Sequence, residues 1–256
     1  MSKTAKAKPG ADAPQEIDEI EECPRCGKPL PLCICDSVTP IANRVELLIL
    51  QHPQEQDRAL GTGRLTAQHF KKVTHKIGLS WPSLSKALGR SVDPQDWAIL
   101  YLGSAKVADL ATERDIVAVD RKGEIEDSQR SILKDIEGVV LLDGTWSQAK
   151  ALWWRNAWML KCRRIILGPA QPSLYGKLRK EPRRDGLSTI EAAGMVLSRL
   201  EGRADIETEL NATFQRMLTQ YRDVQSTMPE LAPKPRPKRD FRRPENRRGK
   251  GAKAST

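Results

Sequence analysis

The sequence predicts an α/β protein with a mostly parallel sheet and helices on both faces. Strand patterns alternate with helical patterns along most of the 256 residues, which is typical of parallel βαβ units. The apolar runs at residues 44–50 and 139–142 are continuous rather than alternating, as in strands covered on both faces. The chain has no Walker A sequence and no G-x-G-x-x-G, which disfavours a P-loop NTPase and an ordinary dinucleotide fold.

The predicted elements follow one another in a regular order. The strands are residues 44–50, 96–102, 116–119, 139–142 and 164–167. The helices are residues 65–75, 128–136, 147–159 and 188–200, followed by an amphipathic helix over 206–221. Ser188 with Glu191 three residues later is a capping box, which marks the start of the helix over 188–200.

Charge is concentrated at the C-terminal end of the sequence. The net charge is +10, and residues 232–256 contain ten Lys or Arg against two acids, with several prolines. We therefore predict a disordered basic tail there and a disordered leader over residues 1–22. A basic tail suits a nucleic-acid partner, because each phosphate contact releases counterions. A tail that only aids solubility is the alternative.

The chain carries no sequence signal for a membrane or for secretion. No run approaches the roughly 20 apolar residues of a membrane span. Residues 1–10 contain lysines but no apolar segment of the kind found in signal peptides. We therefore expect a cytoplasmic protein.

Four of the five cysteines form a C-x2-C-x6-C-x-C cluster: Cys23, Cys26, Cys33 and Cys35. In a cytosolic chain, clustered thiols bind metal more often than they form disulfides. Four thiolates can close a tetrahedral, structural zinc site; an iron–sulfur cluster or redox thiols are the alternatives. We predict a zinc module over residues 23–36, followed by an α/β catalytic domain over 37–231.

The sequence Asp143-Gly144-Thr145-Trp146 is the strongest functional candidate. It joins a buried strand to a helix, and ligands of α/β sheets collect at the carboxyl ends of strands, against helix N-termini. An aspartate kept dry at such a place can have a pKa high enough to accept a proton. The structural alternative is that Asp143 caps the helix and Trp146 fills the core.

Two further candidates lie in the first half of the chain. His52 follows the first strand. It is a candidate ligand-binding or acid–base group, and the alternative is an ordinary loop residue. Thr62 and Arg64 belong to a glycine-containing turn, in which the arginine can hold a carboxylate or a phosphate.

Two more candidates lie in the second half. Tyr175, Lys177 and Arg179 belong to a basic segment over residues 173–184, which suits an RNA backbone with a splayed base or simply a solvated surface. Ser188 and Thr189 open a helix whose free N–H groups attract anions.

Taken in order, these motifs resemble the DTW-domain family of tRNA-uridine aminocarboxypropyltransferases. The resemblance covers about residues 23–200 and includes the cysteine cluster, His-Pro, Thr-x-Arg, Asp-Gly-Thr-Trp, Leu-Arg and Ser-Thr-Ile-Glu-Ala. It departs from the family at Gly61, where asparagine is usual. It implies a fold similar to the SPOUT methyltransferases, with a knotted C-terminal part.

The resemblance also implies a reaction. It implies that the 3-amino-3-carboxypropyl group of S-adenosylmethionine passes to N3 of a uridine in tRNA. We expect Asp143 to be the base, or the group that polarises the base's proton. The expected cofactor-binding residues are Gly144, Thr145, Trp146, Ser188, Thr189, Thr62 and Arg64. The expected substrate-binding residues are His52, Tyr175, Lys177 and Arg179. A SPOUT-like RNA methyltransferase and a non-catalytic RNA-binding protein are the alternatives, and no protein partner is predicted.

Overall fold

Six strands form one sheet in the computed structural model, which describes residues 21–55, 59–100, 115–168, 171–179 and 186–232. The strands are β1 (Glu46–Gln51), β2 (Val73–Ile77), β3 (Trp97–Leu100), β4 (Ile116–Val119), β5 (Gly138–Asp143) and β6 (Arg163–Leu167). Their order in the sheet is β2-β1-β5-β3-β6-β4. Every neighbouring pair is parallel except β4 with β6. The predicted mostly parallel sheet is confirmed.

Six α-helices connect and cover these strands in the described residues. They are α1 (Gly63–Ala67), α2 (Leu84–Leu88), α3 (Gln129–Lys134), α4 (Trp146–Arg155), α5 (Thr189–Glu201) and α6 (Ala204–Thr227). A 3-10 turn over Ala157–Lys161 follows α4. None of the helices in the described ranges is both long and apolar enough to cross a membrane.

The predicted helix over residues 65–75 is wrong beyond Ala67. The chain forms β2 from Val73 onward, and the short helix α2 was not predicted. Among the residues that the structure describes, β2 pairs only with β1. It is therefore an edge strand with partly exposed side chains, and its sequence lacks the apolar run of a central strand. Predicted segments over residues 1–20, 101–102, 180–184 and 233–256 lie outside the described residues.

Helices cover both faces of the sheet, as predicted. Successive residues of β1 point to opposite faces, so Leu47 and Ile49 enter one core while Leu48 and Leu50 enter another. The first core is completed by α1, α5 and α6, and the second by α2 and the segment around Trp158. Burial on both faces explains why β1 and β5 read as continuous apolar runs.

The cysteine segment packs against the α/β body. Leu32 is buried in the first core, and the Gln220 side chain of α6 donates a hydrogen bond to the carbonyl oxygen of Pro31 at 2.7 Å. The division into a module over 23–36 and a domain over 37–231 stays a prediction, as does the knot.

We expect His69→Leu to reduce the acid sensitivity of folding. The imidazole is fully buried, and neither ring nitrogen has a hydrogen-bond partner among the described residues. Burial lowers the pKa of His69 to about 4, and the charged groups that act on it are Glu209 and Arg216 of α6.

The sign of the effect follows from where the proton binds. The unfolded chain takes up a proton below pH ~6.5, whereas folded His69 stays neutral until about pH 4. The stability present above pH ~6.5 is therefore lost as the pH falls toward 4, with a loss of about 2 kcal/mol by pH 5. Thermal unfolding at pH 8 and pH 5 measures this loss of stability. A His69→Leu protein that loses as much stability between the two pH values as the parent would contradict the assignment of the effect to His69.

Candidate active site

The carboxyl ends of β1 and β5 meet at one point of the sheet edge. The two strands pair in parallel, with Gln51 opposite Asp143. The residue after β1 is His52, whose backbone N–H donates to the carbonyl oxygen of Asp143 at 2.9 Å. Two candidates that lie 91 positions apart in the sequence are therefore neighbours.

The Asp143 carboxylate joins three elements of the fold. The side chain is 6% exposed. Its Oδ2 accepts a hydrogen bond from Gln51 Nε2 at 2.6 Å, and its Oδ1 accepts one from the hydroxyl of Thr189 at the start of α5. A carboxylate offers about four acceptor positions, so acceptor capacity remains for a ligand. The two hydrogen bonds fix the direction in which the carboxylate points.

The glycine turn before α1 packs directly onto this carboxylate. A Cβ built on Gly63 would collide with Asp143 Oδ2 and lie 2.9 Å from its Cγ. Only glycine leaves room for the carboxylate here, since a Cβ on any other residue would overlap it. The turn that carries Thr62 and Arg64 therefore packs closely against Asp143.

The buried imidazole of His52 is a hydrogen-bond donor. Its Nδ1 accepts from the backbone N–H of Gln54 at 3.1 Å, so the proton of the neutral ring sits on Nε2. Burial, and then the positive charge of Arg155, lower the pKa of His52 below its usual value. The ring is therefore neutral near pH 7 and presents an N–H group.

The helix that follows Asp143 is capped by another residue. Thr145 is the N-cap of α4, and its side chain and that of Gln148 form a capping box. The structural alternative in which Asp143 caps this helix is wrong. Gly144 adopts φ +154°, and a Cβ there would lie 2.9 Å from Gln148 Cβ and 3.4 Å from His52 Cβ. Trp146, the first residue of α4, is half-buried.

The predicted capping box at the start of α5 is confirmed. Ser188 Oγ donates to Glu191 Oε2 at 2.5 Å, and the backbone N–H groups of both residues complete the box. The Glu191 carboxylate also accepts from Ser173 Oγ and from the backbone N–H of Leu174, each at 2.7 Å. Glu191 therefore anchors the segment 171–179 on α5, while Thr189 faces Asp143.

The three candidates on the 171–179 segment differ in exposure. Tyr175 is buried, its hydroxyl donates to the carbonyl oxygen of Leu60 at 2.7 Å, and its ring packs edge-on against Phe214 at 4.8 Å. These are the contacts of a core residue rather than those expected of a substrate-binding one. Arg179 lies over the Tyr175 ring and 3.8 Å from a Glu55 carboxylate oxygen, whereas Lys177 is exposed.

A cleft of about 190 Å³ opens beside these residues. From the sheet edge and the glycine turn it is lined by Gln51, His52, Gly61, Gly63 and Arg64, and from the cysteine segment by Cys26 and Gly27. The cysteine segment therefore forms one side of the candidate site, which its spacing alone did not predict.

The four clustered cysteines fit a metal ion. Their sulfur atoms all lie within 4.8 Å of one another, with Cys23 to Cys35 at 4.0 Å and Cys26 to Cys33 at 3.9 Å, and none forms a disulfide. A tetrahedron with Zn–S bonds of about 2.3 Å needs sulfur separations of about 3.8 Å. Four sulfurs would leave no open position, so a bound zinc ion would hold structure rather than react.

Lys28 connects the cysteine segment to the glycine turn. The side chain is 2% exposed, and its ammonium group donates to the carbonyl oxygens of Ala59 at 2.7 Å and Gly61 at 2.8 Å. A Cβ on the neighbouring Gly27 would lie 2.6 Å from Arg64 Nη1. The segment thus contacts both ends of the turn that packs on Asp143.

Lys28→Met is expected to loosen this turn. Loss of two charge-assisted hydrogen bonds from a buried group should lower the free energy of unfolding by about 2–3 kcal/mol. Thermal unfolding measures this change, with the exposed lysine variant Lys86→Met as the control. Equal unfolding free energies in the parent and Lys28→Met would contradict the role of Lys28 in holding the turn.

Sequence reasoning missed Gln51, Gly63, Lys28 and Glu55, although all four touch the cleft or its supports. Gln51 had a usable signal, since it directly follows the predicted strand over residues 44–50 and precedes His52. Lys28 had none, because its partners lie 31 and 33 positions away.

Comparison with known proteins shows the family of this chain. The sequence model of the DTW domain matches residues 20–222, so the chain belongs to the DTW-domain family of α/β proteins. The relative from Mus musculus, named tRNA-uridine aminocarboxypropyltransferase 2, is 29% identical over 206 residues, covering 78% of this chain and 63% of the relative. The Drosophila melanogaster protein of that name is 30% identical over 207 residues, with coverages of 78% and 73%.

A third relative of the same name, from Macaca fascicularis, is 28% identical over 205 residues, covering 76% of this chain and 61% of its own length. The chain thus spans less than two thirds of the mouse and macaque relatives. No solved structure matches it.

Proposed function

We propose that this protein transfers the 3-amino-3-carboxypropyl group of S-adenosylmethionine to N3 of a uridine in tRNA, releasing methylthioadenosine. The observation that carries the proposal is the convergence of three distant segments on the buried Asp143. Thr189 and the strand-end Gln51 donate hydrogen bonds to its carboxylate, and Gly63 packs against that carboxylate. The backbone N–H of His52 donates to the carbonyl oxygen of Asp143. Family membership and the names of the relatives support the reaction class.

The reaction is a substitution at the Cγ carbon of the methionine part. The N3–Cγ bond forms as the Cγ–S bond breaks, and the electron pair of that bond stays on sulfur, which leaves as a neutral thioether. The proton of N3 goes to a base. Because the sulfonium is a good leaving group, catalysis rests on positioning the two reactants and on removing the proton.

We propose that Asp143 is the base that accepts the proton of N3. Its two hydrogen bonds, from Gln51 and Thr189, orient the carboxylate and leave it acceptor capacity for N3–H. His52 presents Nε2–H beside the same strand end, where it can donate to a uracil carbonyl oxygen. Negative charge collects on that oxygen as N3 loses its proton, so a fixed donor there stabilises the transition state.

We place S-adenosylmethionine in the cleft between the sheet edge and the cysteine segment. Arg64 lines this cleft and is exposed, so its guanidinium can bind the methionine carboxylate through two hydrogen bonds. Thr62, Gly144, Thr145, Trp146 and Ser188 stay candidates for binding the rest of the cofactor on the family resemblance, although none of them is among the residues that line this cleft. Arg179 and Lys177 remain candidates for a tRNA phosphate.

We also propose zinc as the metal of the four-cysteine site, with a purely structural role. Its ligands would be Cys23, Cys26, Cys33 and Cys35. A bound ion would fix the segment that carries Gly27 and Lys28, and through them the turn before α1.

The adenosine-containing product distinguishes this proposal from methyl transfer. Purified protein is incubated with S-adenosylmethionine and unmodified tRNA, and the small molecules are separated by chromatography. We expect methylthioadenosine, formed only when tRNA is present. Formation of S-adenosylhomocysteine would instead indicate a methyltransferase. If no product depends on tRNA, the result would indicate a non-catalytic RNA-binding protein.

A further inference from the structure

Two long segments of the chain contain basic residues and no acidic residue. Residues 58–92 hold seven Lys or Arg, and residues 144–180 hold eight, whereas all 33 Asp and Glu lie elsewhere. The first segment includes the glycine turn, β2 and α2, and the second includes α4 and β6. Such a charge bias, when it falls on one surface, favours a polyanionic ligand.

The fold joins these segments beside the candidate active site. The side chain of Asn156, just after α4, donates to the carbonyl oxygen of Leu79 at 3.0 Å, and Ser80 Oγ donates to that of Arg155 at 3.0 Å. Leu79 and Ser80 follow the carboxyl end of β2, and Ile77, the last residue of β2, lines the cleft. Helix α4 therefore starts next to Asp143 and ends next to the segment after β2.

Three large apolar side chains are exposed at this junction. Trp154 is 80% exposed, and Ile77 and Leu79 are 49% and 37% exposed. Trp154 lies on the same stripe of α4 as Lys150, one turn earlier, because residues four apart on a helix share a face about 6 Å apart along its axis. Lys150 and Arg155 are exposed as well.

We propose that this Trp154 surface, made of Ile77, Leu79, Lys150, Trp154 and Arg155, binds unpaired nucleotides of the tRNA substrate next to the target uridine. Trp154 stacks on a base, and Lys150 and Arg155 contact phosphates. An exposed indole between cations has the chemistry of single-strand binding, since every base offers a π face and every nucleotide a negative charge. The inference rests on tRNA being the substrate of the proposed function.

The position of the surface supports this occupant. N3 of a uridine takes part in base pairing, so the target must be unpaired to react, and its neighbours are then available for stacking. Continuity with the cleft through Ile77 places those neighbours over α4 and the end of β2. The absence of acidic residues from both contributing segments matches a phosphate backbone.

Binding of unmodified tRNA tests the surface without using turnover. Equilibrium binding is measured for the parent, Trp154→Ala and Trp154→Phe at several salt concentrations. We expect the alanine variant to raise Kd roughly 5- to 150-fold and the phenylalanine variant to retain most of the affinity. Lys150→Gln should lower the slope of log K against log salt by about 0.7, one single-strand phosphate contact.

The controls lie at the opposite edge of the sheet, beside β4. Ile125 is 43% exposed and Lys122 is exposed, and both belong to the turn after β4. Ile125→Ala and Lys122→Gln should leave tRNA affinity and its salt dependence unchanged. KM for S-adenosylmethionine should be unchanged in Trp154→Ala, because the indole does not line the cleft.

Two results would overturn the inference. If Trp154→Ala binds tRNA as tightly as the parent, Trp154 does not stack on a base. The exposed apolar side chains would then indicate a protein-binding surface. Equal losses in Trp154→Ala and Ile125→Ala would show a general effect of changing exposed side chains. Failure of the proposed function shows itself separately, as the wrong adenosine product from the parent protein.

Discussion

Replacing Asp143 by asparagine is expected to lower kcat by about 100- to 10,000-fold, the usual contribution of a positioned general base. The fold should survive the change. The new amide oxygen can accept from Gln51 Nε2, as Asp143 Oδ2 does now, and the amide N–H₂ can donate to the hydroxyl of Thr189 after that hydroxyl rotates. What the variant loses is the negative charge that takes up the N3 proton.

Single-turnover kinetics with tRNA, together with thermal unfolding and S-adenosylmethionine binding, separate these effects. Asp223→Asn, an aspartate on the exposed side of α6, is the matched control and should behave as the parent. An Asp143→Asn protein that folds, binds the cofactor and turns over at the parent rate would refute the assignment of the base.

Replacing Cys35 by serine is expected to abolish stoichiometric metal binding and to lower Tm by roughly 10 °C or more. Cys35 is fully buried among the other three sulfurs, and a structural zinc ion contributes its binding free energy to folding. A loss of 3 kcal/mol or more gives this shift in a domain of about 200 residues. Elemental analysis of the purified protein and calorimetry measure the two effects.

Cys162→Ser provides the control for the metal site. Cys162 is also buried, but it lies in the second core, near Trp158 and Met159. Its serine variant should keep one metal ion per chain. Metal-free parent protein with an unchanged Tm, or equal metal loss in both variants, would contradict a structural zinc site.

Much of the fold could be predicted because the strands are buried on both faces. The continuous apolar runs of β1 and β5 are typical of strands covered on both faces, and their parallel pairing follows from the helices between them. β2 could not be recognised in the same way. Within the described residues it is paired on one side only, and its Thr74, His75 and Lys76 replace the apolar run. Its sequence therefore reads as a continuation of the preceding helix.

The candidate site was predictable where it depends on strand ends. Asp143 is the last residue of β5 and His52 is the first residue after β1, and parallel neighbours bring such positions together. The side-chain contacts around them were not predictable. Tyr175 lies among basic residues in the sequence, yet its hydroxyl bonds to the carbonyl oxygen of Leu60 and its ring packs on Phe214. It is buried because Glu191 holds its segment against α5.

The contribution of the cysteine segment also needed the structure. Its spacing indicates a metal site, but not that Gly27 and Lys28 face the turn that packs on Asp143. That contact depends on how two distant segments fold against each other, which local sequence patterns do not encode.

Mass spectrometry of the nucleosides from treated tRNA tests the central claim most directly. Unmodified tRNA is incubated with the metal-loaded protein and S-adenosylmethionine, digested to nucleosides and compared with a sample treated with Asp143→Asn. We predict a uridine that is heavier by one aminocarboxypropyl group, on N3, in the parent sample only. A uridine heavier by a methyl group, or an aminocarboxypropyl uridine formed equally well by Asp143→Asn, would contradict the account.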